Sequence, residues 1–178
     1  MRSVWASGSE WSHILVALMP ENALAIECSL RYGLRIDDVL AFKTKDVKKG
    51  RFTIKEQKTG KSRRIKLCEY IQLELLAQAN DTFVFPHRTD PNRHRTRQAV
   101  WQDVKRACKY YRYKANITPH SARKYYANEL RSKGYSLKEI QHIMNHTSSE
   151  VTMLYALSEQ MRFDEIRKEI KHRKSIRF

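Results

Sequence analysis

A chain of 178 residues has room for one domain with a substantial core. Its 35 lysines and arginines against 19 acidic residues leave a net charge of +16, which points to a polyanionic partner, either nucleic acid or an acidic membrane surface. Three cysteines in no CxxC arrangement, Cys28, Cys68 and Cys108, speak against a disulfide framework and fit a reducing interior; no apolar run approaches the ~18 residues of a membrane span.

Residues 1–10 read as a flexible leader, after which Ile14, Leu15, Ala17 and Leu18 predict a first helix ending at Pro20. Ala23, Leu24, Ile26, Cys28 and Leu30 continue as a second helix that closes near Gly33, and Ile36, Val39 and Leu40 begin a third. The period then changes. RFTIKEQKTGKSRRIKL alternates Phe52 and Ile54, then Ile65 and Leu67, around a Lys-Thr-Gly-Lys bend, which predicts a basic β-hairpin turning at Gly60. Helical spacing returns with Tyr70, Leu73, Leu75 and Leu76. Past the FPHRTDPNRHR loop, Val100, Trp101, Val104, Ala107, Cys108 and Tyr111 form the strongest amphipathic pattern and predict a core face. Three more helices are expected beyond Pro119, two of them opened by capping boxes, Ser136 with Glu139 and Thr147 with Glu150. Residues 159–178 predict a basic C-terminal helix or tail. The class expected is therefore mainly α with a small antiparallel β-hairpin, in a single domain over 1–178.

The charge is patterned along this chain. Lys43 to Cys68 holds eleven basic and two acidic residues, a net of +9, and His87 to Lys114 holds nine and two, a net of +7. Those two stretches equal the whole excess, so the basic side chains there, Lys43, Lys45, Lys61, Arg63, Arg64, Arg95 and Arg97 among them, are the expected contacts to the polyanionic partner.

Polar groups suited to a phosphate stand at the ends of these elements. In TPHSARKYY, Thr118 suits an N-cap and Pro119 the first helical position, so His120 and Arg123 project as neighbours from one turn. Arg35 sits in YGLRIDDVLAF at the junction of two helices, Lys58 at the hairpin tip in QKTGK, His146 at the end of HIMNH, and Tyr155 in SSEVTMLYAL.

In this order the six residues resemble the signature of the tyrosine recombinases, the phage-integrase family: Arg, Lys, His-x-x-Arg, His or Trp, then Tyr. The resemblance covers roughly Trp11 to Ser158 and implies a catalytic domain that cleaves and rejoins DNA through a 3′-phosphotyrosine. It implies Tyr155 as nucleophile, Arg35 and Arg123 as forks on the phosphate oxygens, His120 and His146 as further donors, and Lys58 as general acid. Asp38 falls at an acidic position of the family where glutamate is usual, and Met144-Asn145 stands where Leu-Gly is common.

The resemblance also implies double-stranded DNA as partner, a monomer alone and a tetramer on DNA, neither metal nor other cofactor, no membrane, and a cytoplasmic, bacterial or phage setting. The family's N-terminal core-binding domain is not expected within these residues. A type IB topoisomerase-like relaxing activity and a catalytically inactive DNA-binding regulator stand as alternatives.

Overall fold

The computed structural model describes residues 3–145. The chain divides into two compact units, residues 1–129 and 130–178. In the first unit, Ser7 opens helix α1 (Gly8–Ala17) with a capping box: its hydroxyl accepts from Glu10 N–H at 3.3 Å, and the Glu10 carboxylate accepts from Ser7 N–H at 2.7 Å. Helix thus begins inside the stretch expected to be a leader. That stretch is tied down further by Val4 N–H donating to the Asn116 carbonyl (3.1 Å) and by the Lys124 ammonium donating to the Ser3 carbonyl.

Helix α2 (Pro20–Tyr32) starts with proline at its first turn and ends where Gly33 adopts φ 61°, the left-handed conformation that only glycine takes at little cost. Short helices α3 (Ile36–Leu40) and α4 (Thr44–Val47) follow, the second a single turn that no periodicity announced. Strands β1 (Arg51–Lys55) and β2 (Ser62–Lys66) pair antiparallel, Phe52 opposite Ile65 and Ile54 opposite Arg63. Their turn closes through Glu56 N–H to the Lys61 carbonyl (3.0 Å) and Gly60 N–H to the Glu56 carbonyl (2.8 Å), with Gly60 at φ 65°.

Helix α5 (Glu69–Gln78) buries Ile71 and Leu75, one turn apart. Tyr70 and Leu73, expected inward, are 59% and 62% exposed, because the Ile71–Leu75 stripe faces the core and they lie off it. Helix α6 (Arg97–Tyr110) is capped by Thr96 and buries Val100, Val104, Ala107 and Cys108 as its pattern predicts. Trp101 lies at the margin of that face, 40% exposed, with the Lys105 ammonium 5.7 Å from its ring. Asp103 turns inward and accepts from the Met19 N–H (2.8 Å) and the Asn22 amide (2.7 Å), fixing the start of α2 against α6. Helix α7 (Pro119–Ser132), of which residues to Glu129 belong to the first unit, begins at proline as expected; at Thr118 it is the backbone N–H that is engaged, donating to the Ser121 hydroxyl at 3.1 Å.

One core joins these elements, including Trp11 and Ile14 of α1, Ile26 of α2, Phe52 and Ile65 of the hairpin, Leu75 of α5 and Val104 of α6. Phe42 meets Phe52 edge-on at 5.2 Å, which seats the hairpin on the helical layer. In the second unit, Gly134 at φ 90° turns the chain into α8 (Leu137–Ile143), opened by the predicted Ser136–Glu139 capping box. The Thr147–Glu150 box and the basic segment 159–178 lie outside the described residues. Among the described residues the fold is mainly helical with one two-stranded antiparallel sheet, the expected class.

Candidate active site

The end of α2 organises the site. Because Gly33 breaks the helix, the carbonyls of Tyr32 and Gly33 are left without intrahelical partners at the negative end of the helix dipole, where cations are favoured. Two arginines take them. Arg123 of α7, 1% exposed, donates from Nη1 to the Gly33 carbonyl at 2.5 Å across 90 positions of sequence. Arg63 of β2 donates from Nη2 to the Tyr32 carbonyl at 2.5 Å, and its Nη1 lies 3.5 Å from the Gly33 carbonyl.

Arg35 leaves the chain two residues after Gly33, at the N-cap of α3, with its side chain only 10% exposed. Its Nη1 donates to Glu56 Oε2 at 2.7 Å. Glu56, the first residue after β1, is wholly buried, and its other oxygen lies 3.6 Å from Arg63 Nη1. A continuous chain of contacts therefore runs Arg123, Gly33, Arg63, Glu56, Arg35. Glu56 pairs with two of the guanidinium groups, Arg35 and Arg63, and Arg123 joins them through the Gly33 carbonyl, a cluster of fixed positive charge that suits an anion.

Asp38 lies one turn into α3 and is 4% exposed; its Oδ1 accepts from the Gln57 N–H at 2.9 Å. Burial pushes its carboxyl above the ordinary aspartate range, and the Glu56 charge adds to the push. The Gln57 N–H, Arg35 and Arg123 pull the other way. Gln57 directly follows Glu56, so the bond from its N–H ties Asp38 to the residue beside the carboxylate that holds Arg35. Burial also lowers the pKa of Arg63, opposed by the charge of Glu56, although a guanidinium stays a cation throughout the physiological range.

His120, half-buried, sits one turn before Arg123 on α7, and Lys58 is exposed in the turn that Glu56 opens. Arg35, Arg123 and Asp38 are thus brought together, with Lys58 and His120 carried on the elements that bear Glu56 and Arg123. His146 and Tyr155 lie outside the described residues.

Of the basic side chains expected on DNA, Lys45, Lys61, Arg64 and Arg97 are exposed, and Arg97 pairs with Asp37 at 3.3 Å. Lys43 stacks its ammonium 3.4 Å over the Phe83 ring, Arg95 is 13% exposed and pairs with Glu21 at 3.1 Å, and Arg63 points into the interior network. Sequence reasoning passed over Glu56, and took Arg63 for a surface contact. A signal for Glu56 existed: it continues the inward alternation of Phe52 and Ile54 and is the single acid between Arg51 and Cys68. Among the described residues no group of three or more His, Cys, Asp or Glu side chains is arranged to hold a metal, and no helix is long and apolar enough to cross a membrane.

The phage integrase family model matches residues 9–162. The integrase of Escherichia phage P2 is 28% identical over 144 residues, covering 80% of this chain and 40% of that protein. A tyrosine recombinase of Thermosipho africanus is 28% identical over 175 residues, covering 89% of this chain and 59% of that one. Among solved structures, a XerA recombinase superposes with a TM-score of 0.69 at 17% identity, over 91% of this chain and 63% of that chain. A lambda integrase dimer bound to a COC′ core site gives 0.67 at 22% identity, over 86% and 59%. The chain spans about half the length of the curated relatives it matches.

Proposed function

This chain belongs to the phage integrase family, and we propose that it is a site-specific recombinase catalytic domain, cutting and rejoining double-stranded DNA through a covalent tyrosine intermediate. One observation carries the reading most: Arg35 and Arg123, far apart in sequence, converge through Gly33, Arg63 and Glu56 on a single buried cationic network.

In this reaction the Tyr155 phenolic oxygen attacks the scissile phosphorus in line, the P–O5′ bond breaks, and a 3′-phosphotyrosine and a free 5′-hydroxyl result. A phosphodiester carries one negative charge and gains more on its non-bridging oxygens as the attack proceeds. Arg35 and Arg123 stabilise that charge from fixed positions, which costs no reorganisation at the moment of reaction. His120 and His146 add hydrogen bonds, and His120 assists removal of the phenolic proton, whose ordinary pKa is about 10. Lys58 returns a proton to the departing 5′-oxygen. Asp38 braces the arginines. The reverse attack by another 5′-hydroxyl restores the diester, so the phosphoryl bond energy is kept and neither ATP nor metal is required.

Of the basic side chains expected on DNA, the exposed Lys45, Lys61, Arg64 and Arg97 reach backbone phosphates, while Lys43, Arg63 and Arg95 are engaged within the protein and hold the surface that carries them. The protein is DNA-associated, a monomer alone and a tetramer on paired sites. A nicked suicide DNA incubated with wild type and Tyr155→Phe tests the mechanism on a denaturing gel: a covalent adduct forms with wild type alone and survives chelator. An equal adduct from Tyr155→Phe would overturn it. Strand exchange between two plasmids, as opposed to relaxation of one, separates a recombinase from a topoisomerase.

A further inference from the structure

The two oxygens of the Glu56 carboxylate engage partners from different parts of the site. Oε2 accepts from Arg35 Nη1 at 2.7 Å and from the Thr59 hydroxyl at 3.0 Å, and Oε1 faces Arg63 Nη1 at 3.6 Å. Thr59 directly follows Lys58 in the turn, so one oxygen atom bridges Arg35 to the segment that carries Lys58. The backbone of Glu56 also closes that turn, accepting from Gly60 N–H at 2.8 Å and donating to the Lys61 carbonyl at 3.0 Å. We propose that Glu56 is a positioning residue for strand cleavage: its buried carboxylate holds the Arg35 guanidinium in place for the scissile phosphate and fixes, through Thr59, the hairpin tip bearing Lys58.

This rests on the reading of Arg35 and Lys58 as catalytic groups. Stability alone does not explain a carboxylate with no solvent exposure at this place, since a buried ion pair returns little net free energy over a well-packed apolar residue. Placement does explain it. A guanidinium on a flexible side chain needs a bidentate or charged partner to stay within the few tenths of an ångström that charge stabilisation demands, and Glu56 supplies that partner to Arg35 at Nη1. Glu56 does not touch the DNA in this arrangement. It acts through Arg35 and through the turn.

Single-turnover cleavage of the suicide DNA by the intact chain tests this, with Glu56→Gln, Glu56→Asp and Thr59→Val beside wild type. Each is measured on an ordinary scissile phosphodiester and on a methylphosphonate at the same position, which carries no charge for Arg35 to neutralise. On the phosphodiester Glu56→Gln should cleave about 30- to 100-fold more slowly at saturating DNA, with its Kd for DNA within about threefold of wild type. Relative to wild type, the deficit should shrink to under about fivefold on the methylphosphonate. Glu56→Asp should recover part of the loss. Thr59→Val, which leaves every charge in place and so keeps the test standing if Glu56→Gln melts, should slow the phosphodiester about 3- to 10-fold. Equal deficits on both substrates, or wild-type rates in Glu56→Gln, would overturn the role of Glu56 while leaving the cleavage mechanism intact. Absence of any adduct from wild type would instead bring down the mechanism itself, and this inference with it.

Discussion

Replacing Gly33 by alanine strikes the point where backbone geometry, packing and the arginine network coincide. Gly33 has φ +61°, and a Cβ added there would lie 2.2 Å from Tyr126 Cδ1, 2.6 Å from Cε1 and 2.9 Å from Cγ. The left-handed conformation costs an alanine roughly 1–2 kcal/mol, and displacing a packed aromatic ring costs about 1–3 kcal/mol more. The sum, about 2–5 kcal/mol, corresponds to a fall in Tm of about 4–20 °C for a chain of this size. Gly60 is the matched control: its φ is +65°, nearly the same, but nothing lies within 4 Å of its added Cβ. Gly60→Ala should therefore cost only the backbone part, roughly 1–2 kcal/mol. Urea unfolding of both variants isolates the Tyr126 ring by difference, and Gly33→Ala combined with Tyr126→Ser should return toward the backbone-only cost. Because the Gly33 carbonyl receives Arg123 Nη1 at 2.5 Å, Gly33→Ala should also slow strand cleavage in molecules that remain folded. Equal destabilisation of Gly33→Ala and Gly60→Ala, within about 0.5 kcal/mol, would refute the packing argument.

Asp103→Asn should cost about 2–4 kcal/mol, since Asp103 accepts from Met19 N–H, the Asn22 amide and the Arg106 guanidinium, the last at 2.6 Å. Burial pushes this carboxyl up, but those donors outweigh it and hold its pKa below the usual 3.8; its stabilisation is thus present above 3.8 and lost as pH falls through the lower folded value, a loss that Asp103→Asn should not show in acid melting curves. Cys68 is exposed, with its thiol pKa lowered by the Ile71 N–H and the Tyr32 hydroxyl, whereas burial raises Cys28 and Cys108; a thiol reagent at neutral pH should label Cys68 first and the other two only after unfolding. Simultaneous labelling of all three in native protein would contradict that placement. DNA affinity should fall steeply with salt, and Lys61→Ala, at an exposed position, should reduce the salt slope by about 1; Arg63→Ala, whose side chain is 11% exposed, should chiefly lower the melting temperature.

Much of this was legible in the sequence wherever the signal is local. Gly33 ends α2, Gly60 turns the hairpin, and the Ser136–Glu139 box opens α8, because capping and left-handed turns are decided by a few adjacent residues. The same logic, applied to Ser7 and Glu10, announces α1 within the stretch read as a leader. Side-chain direction was less legible. Tyr70 and Leu73 are apolar at helical spacing yet face outward, and Trp101 lies at the edge of the buried face of α6, since an amphipathic helix buries a stripe narrower than its apolar content and only the neighbouring elements choose which.

The site shows the same division. The places of Arg35 and Arg123 at element junctions were readable, and their side chains enter one network; that of His120 beside Arg123 was readable too, but the roles of all three come from the resemblance alone. Glu56 and the inward turn of Arg63 were not read, because an ion pair between a hairpin and the end of a helix is set by tertiary register, and the basic run around them reads as surface. The period-2 phase of β1 held the missing clue.

The central claim is that the groups gathered at the end of α2 serve one phenolic nucleophile. Proteolysis of the covalent DNA adduct, followed by tandem mass spectrometry of the nucleotide-bearing peptide, measures this directly. The expected result is a 3′-phosphate linkage to Tyr155 and to no other of the nine tyrosines, abolished by Arg35→Ala or Arg123→Ala. A linkage to any other residue, or undiminished adduct when both arginines are removed, would contradict it.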